Sequence, residues 1–177
     1  ATVVSNTLTE IKVILPSNSQ NKYIRVETIS GEDTWETAIG TAIYDDIWYG
    51  GFAPAEWNNH EYVTDPEIAF QGNSVMKKNI PGWDNIQGEW SWNDQISQYT
   101  GIKFVVRSET AGRLVLIFNG SYWGDASRAF DTSSEWKEVK YTWAQLGNPQ
   151  ALQNISFQEF SGNGAVYYFD NITFTVD

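Results

Sequence analysis

Turn-forming residues interrupt this chain about every 8 to 12 residues, and no stretch between them carries a helical period. Gly, Asn, Ser, Thr and Asp supply the breaks, with marked ones at PSNSQN (16–21), Pro81-Gly82 and Glu109–Gly112. Between breaks, apolar and polar residues alternate, which is the period of a half-buried strand. Ile102, Phe104 and Val106 share one face, as do Leu114, Leu116 and Phe118. These two runs read as a hairpin, Ile102–Ser108 with Arg113–Asn119. Further strands are expected at Glu10–Leu15, Tyr23–Ile29, Ala42–Asp45, Ser74–Asn79, Trp83–Gln87, Ala126–Phe130, Lys137–Trp143, Ile155–Phe160 and Tyr167–Val176. About eleven short strands with apolar faces need two packed layers. The expected class is all-β: a two-sheet antiparallel β-sandwich, or jelly roll.

At 177 residues the chain can bury a core without covalent staples. It reads as a single domain, 1–177, in which residues 1–40 are either extra strands of the sandwich or an N-terminal extension. Cysteine is absent, which excludes disulfides and thiolate metal sites but not secretion. Acids outnumber bases 22 to 11, for a net charge of −11. Nucleic acid and anionic membranes require clustered Lys and Arg, so neither is an expected partner, and an acidic polysaccharide is disfavoured too. No apolar run approaches the ~20 residues of a membrane-spanning helix.

The aromatic content is unusual: nine Trp, nine Tyr and nine Phe. A core rarely takes so many indoles, because each buried N–H needs an acceptor. The densest stretch is Gly82–Trp92, GWDNIQGEWSW, with three Trp among amide side chains and no cation. Flat rings interleaved with amides suit a neutral, hydroxyl-covered ligand such as a sugar chain. The rings offer a platform for C–H bonds, and the amides both donate and accept. By parity Ile86 faces the core, so Trp83, Asn85 and Gln87 form an outward row, joined by Gln158 from Ile155–Phe160. Trp90 and Trp92 lie past Gly88, either walling a cleft or with one turned into the core. Trp123, Asn119, Trp48 and Trp57, in loops or at strand ends, complete the candidate ligand-binding set. Trp136 and Trp143 are expected in the core.

Asp170 shares parity with Ile172, Phe174 and Val176 and is expected to point inward. A buried carboxylate must either cap loop amides or hold a cation. Asp45 or Asp46 is the natural second acid, and calcium the natural ion for oxygen ligands. A small jelly-roll glycoside hydrolase is the catalytic alternative, with Glu89, Asp94 and Glu159 as candidate carboxylates. No matched pair of glutamates on neighbouring strands supports it, and the lone His60 has no triad context. A cell-surface protein-interaction module is the third reading.

From about Ile43 to Asp177 a series of pieces runs in order: IYDD, then GF and a Trp, QGNSVMK, GW, QYTGIKFVVRS, SSEWKEVKYTWAQL, LQNISFQEFSG and YYFDNITFTV. In these pieces the chain resembles the β-jelly-roll carbohydrate-binding modules attached to plant cell-wall hydrolases. The resemblance implies a non-catalytic module that binds β-1,4-linked glucans (cellulose-like chains, mixed-linkage glucan, xyloglucan) in an open cleft across one sheet. It implies Trp83 as a cleft aromatic and Gln158 as a cleft polar group. It also implies a structural calcium held in part by Asp170 of FDNI, to which the residue reading adds Asp45 as second ligand, and no other cofactor. Plant cell-wall polysaccharide and the catalytic domain of a parent enzyme are the implied partners. An extracellular location and a monomeric state are expected.

Overall fold

By its internal contacts the chain divides into two units, Ala1–Gly40 and Thr41–Asp177. The computed structural model describes residues 2–6, 11–14, 23–28, 31–36, 41–49, 52, 60–90 and 92–176. In the first unit β1 (Thr2–Asn6) pairs antiparallel with β2 (Ile11–Ile14), and β3 (Tyr23–Thr28) with β4 (Gly31–Glu36). β2 and β3 fall on the strands expected there. Alternation does not mark β4, because GEDTWE is almost wholly polar.

The strands of the second unit, among the described residues, are β5 (Ala42–Asp45), β6 (Ile47–Trp48), β7 (Glu61–Thr64), β8 (Ser74–Ile80), β9 (Asn85–Gln87), β10 (Asp94–Gln95), β11 (Gly101–Ser108), β12 (Gly112–Phe118), β13 (Ala129–Thr132), β14 (Lys137–Thr142), β15 (Ala151–Leu152), β16 (Ile155–Glu159) and β17 (Ala165–Thr175). They form an antiparallel β-sandwich. The larger sheet runs β14-β11-β17; the far edge of β17 then takes β8 at Ala165–Phe169 and β5 at Ile172–Thr173, with β7 beyond β8 and β6 beyond β5. The smaller sheet is β13-β12-β16-β9. β10 and β15 make a separate two-stranded pair.

Phe104 of the larger sheet meets Phe157 of the smaller at 4.8 Å between ring centres, and Phe157 meets Phe169 at 4.6 Å. Ile102, Val106, Leu114, Leu116, Phe118 and Ile86 fill the space around them, all essentially buried. Trp143, expected in the core, is half-buried at its margin: it packs on Phe118 and Phe174 and donates its indole N–H to the Tyr99 carbonyl at 2.7 Å.

Several expectations change. The strand expected at Ala126–Phe130 begins only at Ala129, after a 3-10 turn over Ala126–Arg128. β11 and β12 are not a hairpin: β11 pairs with β14 and β17, β12 with β13 and β16. The Glu109–Gly112 link is an arch between sheets, so the two alternating apolar runs face each other across the core instead of lying side by side. Trp136 does not enter that core. Half-buried, it meets Phe70 edge-on at 5.8 Å, with the Arg107 guanidinium over its ring at 5.3 Å. Arg107 also stacks on Tyr168 at 4.1 Å.

The long strand β17 carries a bulge. Val105 pairs with Asp170 and Lys103 with Thr173, so Asn171 and Ile172 together oppose Phe104. Asn171 supplies the left-handed turn, φ 45°. The extra residue inverts the parity of Asp170. Phe169, Ile172 and Phe174 face the core, and Asp170 faces away from it beneath the 65–73 loop. There it is fully buried and accepts from the Phe70, Gln71 and Asn171 amides at 2.9, 3.2 and 2.7 Å.

Candidate functional site

The outer face of the smaller sheet gathers most of the singled-out residues. Ile86, Phe157, Leu116 and Leu114 point inward, which turns their neighbours outward. The ladder then sets two rows across the strands. One runs Asn85, Gln158, Val115, Ala129; the other runs Gln87, Ser156, Ile117. Val115, Ile117 and Ser156 are fully buried, so the floor is closed, while Asn85, Gln87 and Gln158 are half-buried along it. The β12–β13 connection returns over this face: Gly124 N–H donates to Gln158 Oε1 at 3.1 Å.

Aromatics rim the rows. Trp83 is 58% exposed and meets Phe160 edge-on at 5.2 Å. Phe160 N–H bonds the Arg113 carbonyl, which puts this pair at the Arg113 end of β12. Trp90, 50% exposed, lies over Gly120 at the other end, where a Cβ would stand 2.6 Å from its ring. Arg113 and Asn119 are six residue steps apart, or about 20 Å at ~3.4 Å per step. Trp123, exposed, sits between these ends beside the Gly124–Gln158 bond. The Tyr122 ring next to it is capped by the Arg128 guanidinium at 3.8 Å.

The expected Trp83–Asn85–Gln87 strand starts later than parity suggests. Trp83 lies in the Pro81–Asp84 turn with φ 67°, and β9 begins at Asn85. Three residues expected at this face are engaged elsewhere. Trp92 is a core residue, 8% exposed, edge-on to Phe52 at 4.4 Å and 6.2 Å from Trp48. Trp48 packs on Tyr44 and donates its indole N–H to the Tyr62 hydroxyl at 2.7 Å. Asn119 clasps backbone: Nδ2 donates to the Ala151 carbonyl, and Oδ1 accepts from the Gln153 and Asn154 amides. Trp57 lies outside the described residues. Phe160 was available from parity with Gln158, though nothing in the sequence marks its contact with Trp83.

Glu159 shares the inward parity of Ile155 and Phe157. It is a fully buried carboxylate at a core position of β16. Burial pushes its pKa up, but hydrogen bonds from Ser161, Trp83 and Gly162 outweigh that, so it stays below the ordinary carboxylate range. Its oxygens are occupied by these donors and closed to solvent, which argues against it as a hydrolytic acid.

Asp170 and Asp45 are the possible cation ligands. Burial pushes Asp170 up to about 6, amide hydrogen bonds from Gln71, Asn171 and Phe70 offset part of this, and the Asp45 charge adds to it. Asp45 is raised by burial and by Asp46, and eased by the Gln71 side-chain amide. Asp46 is committed to the Asn73 and Ser74 amides at 2.7 and 2.6 Å. Among the described residues no three acidic, His or Cys side chains converge. If a calcium ion bound here, Asp45 and Asp170 would supply two of the about six to eight oxygens it takes.

No family model matches the sequence, and no curated protein matches it. Solved structures do match. The chain is similar to carbohydrate-binding modules of families 11 and 29. One is the family 11 module of the cellulosomal cellulase Lic26A-Cel5E of Clostridium thermocellum, at 15% identity, covering 80% of this chain and 97% of that one with a TM-score of 0.48. Another is a family 29 module variant complexed with cellulohexaose, at 16% identity, 76% and 88% coverage and a TM-score of 0.47. A third is the Clostridium thermocellum family 11 module in complex with a β-1,3-1,4-mixed-linked tetrasaccharide, at 13% identity, 71% and 84% coverage and a TM-score of 0.44.

Proposed function

We propose that this chain is a non-catalytic carbohydrate-binding module that holds a β-1,4-linked glucan along the outer face of its smaller sheet. The observation that carries the reading is the arrangement there. Exposed Trp83, Trp90 and Trp123 rim a row of half-buried amides, Asn85, Gln87 and Gln158, on a closed floor. Trp83, Trp90 and Trp123 stack on sugar faces, and the amides read hydroxyls. Burying one aromatic ring removes about 150–250 Å² from water, gross ~4–6 kcal/mol at ~25 cal/mol per Å². Half-burial, less the cost of ordering a flexible chain, leaves micromolar to sub-millimolar affinity. The parent context follows from the same reading: a secreted, monomeric module tethered to a plant cell-wall hydrolase, with mixed-linkage glucan and xyloglucan among its ligands. A structural calcium at Asp45 and Asp170 belongs to the proposal. It offsets two carboxylates that burial disfavours as anions.

Native affinity electrophoresis against mixed-linkage β-glucan, xyloglucan, hydroxyethylcellulose, xylan and mannan tests the reading. Retardation by β-1,4-glucans that is reduced in Trp83→Ala, Trp90→Ala or Trp123→Ala is expected. Equal mobility of parent and all three variants in every gel rejects the site.

A further inference from the structure

Trp83 is held in a backbone conformation that tryptophan does not favour. Its φ of 67° lies in the left-handed region, where a bulky side chain is an outlier. Such strain persists only where the surroundings over-determine it, and it collects at ligand-binding surfaces. The determining group here is Glu159. Its Oε2 accepts from the Trp83 amide at 3.1 Å and the Gly162 amide at 3.0 Å. Its Oε1 accepts from the Ser161 amide at 2.7 Å, from the Ser161 hydroxyl, and from the Tyr167 hydroxyl at 3.4 Å. The Glu159 amide itself donates to the Asp84 carbonyl at 2.8 Å.

One buried side chain thus ties the 81–84 turn to the 160–164 turn. The two turns touch without room to shift: a Cβ on Gly82 would stand 2.2 Å from the Gly162 carbonyl oxygen, and one on Gly162 3.0 Å from Trp83 Nε1. The rest of the core face of β16, Ile155 and Phe157, is apolar. A carboxylate in that series is costly to bury unless its hydrogen bonds are met. Apart from the Tyr167 hydroxyl, every donor that meets them belongs to the two turns carrying Trp83 and Phe160.

We infer that Glu159 is a positioning residue for glycan binding, setting the Trp83 turn so that the indole and Phe160 form a preset platform. The inference rests on the reading of Trp83 as a stacking ring. A ring set before the ligand arrives loses less freedom on binding, which is where the affinity gain lies.

The test is a double-mutant cycle on the full chain, by titration calorimetry with cellohexaose and mixed-linkage β-glucan. Glu159→Gln keeps the shape but offers one acceptor oxygen where the carboxylate offers two. It is expected to weaken binding about tenfold, as is Trp83→Ala, with the double variant no weaker than Trp83→Ala alone. Unchanged affinity in Glu159→Gln, or effects that multiply in the double variant, overturns the inference. Ser161→Ala, which removes one donor from an exposed turn, covers the case in which Glu159→Gln does not fold; about a threefold loss supports positioning and no loss opposes it. Should Trp83→Ala bind like the parent, the glycan reading has failed at this ring, and acrylamide quenching decides the positioning separately. The Trp83 contribution, taken as the difference from Trp83→Phe, must change in the Glu159→Gln background; an unchanged contribution overturns the inference.

Discussion

Trp90 and Trp92 stand two residues apart, and replacing each by alanine should damage different properties. Trp92 is 8% exposed, boxed by Phe52, Trp48 and Gly88, whose added Cβ would stand 2.6 Å from the ring. It lines a small apolar cavity of ≈ 20 Å³ with Met76, Ile86, Ile155, Phe157 and Ile172. Truncation enlarges that void, so little relaxation is available to soften the loss. Returning about 150–250 Å² to water is worth ~4–6 kcal/mol gross, and measured Trp→Ala costs in cores run about 3–5 kcal/mol. Trp90 is 50% exposed with one edge on Gly120, so its truncation should cost about 1 kcal/mol or less. Urea unfolding followed by far-UV circular dichroism should separate the two by roughly 3 kcal/mol, or about 10 °C in a thermal scan. Trp92→Phe should recover much of the difference. Calorimetry with mixed-linkage β-glucan, below the melting range, should show the reverse ranking: Trp90→Ala weakened several-fold, Trp92→Ala close to the parent. Unfolding free energies for the two alanine variants within about 1 kcal/mol of each other would show that the burial argument is wrong.

Other outcomes follow from the same geometry. Gly120→Ala meets both a left-handed backbone, φ 71°, and the Trp90 ring, so it should lower stability by about 1 kcal/mol and glucan affinity several-fold, read by thermal melts and titration calorimetry. Asn119→Ala deletes three backbone-directed hydrogen bonds and should cost about 2–4 kcal/mol in urea unfolding, while glucan affinity of the folded fraction stays near the parent's. In chelator, Asp170 should make the protein less stable as pH rises from about 4 to about 6. Its folded pKa, pushed up to about 6, lies above the unfolded one, so folding favours the protonated form, a difference worth ~3 kcal/mol. Asp170→Asn should flatten that slope in unfolding measured across the window, and added calcium should flatten it in the parent by keeping the carboxylate ionised. A parent-minus-Asp170→Asn difference in stability that grows in the parent's favour as pH rises through this window would refute the assignment.

Alternation was sufficient to read the sandwich, since it depends only on which residues must leave water. It could not assign partners. Ile102–Val106 and Leu114–Phe118 show the same pattern whether they pair in one sheet or face each other across two, and Glu109–Gly112 suits either a hairpin or an arch. Nor does parity survive a change of backbone handedness. The left-handed Asn171 shifts the phase of β17, so Asp170 is buried as expected but on the side away from the core. The left-handed Trp83 takes its ring out of the strand. The Gly82–Trp92 stretch concentrates the difficulty, because three indoles alike in sequence divide into two exposed rings and one core residue. What separates them is the space left by glycines. Gly88 lets the Trp92 ring sit against the backbone, and Gly120, thirty residues from Trp90, leaves room for that ring on the surface. An indole's role here therefore depends on the backbone it can approach. Glu159 follows the same logic in reverse. A lone acid at a core position looks like an error in the pattern until the left-handed turn it holds is visible.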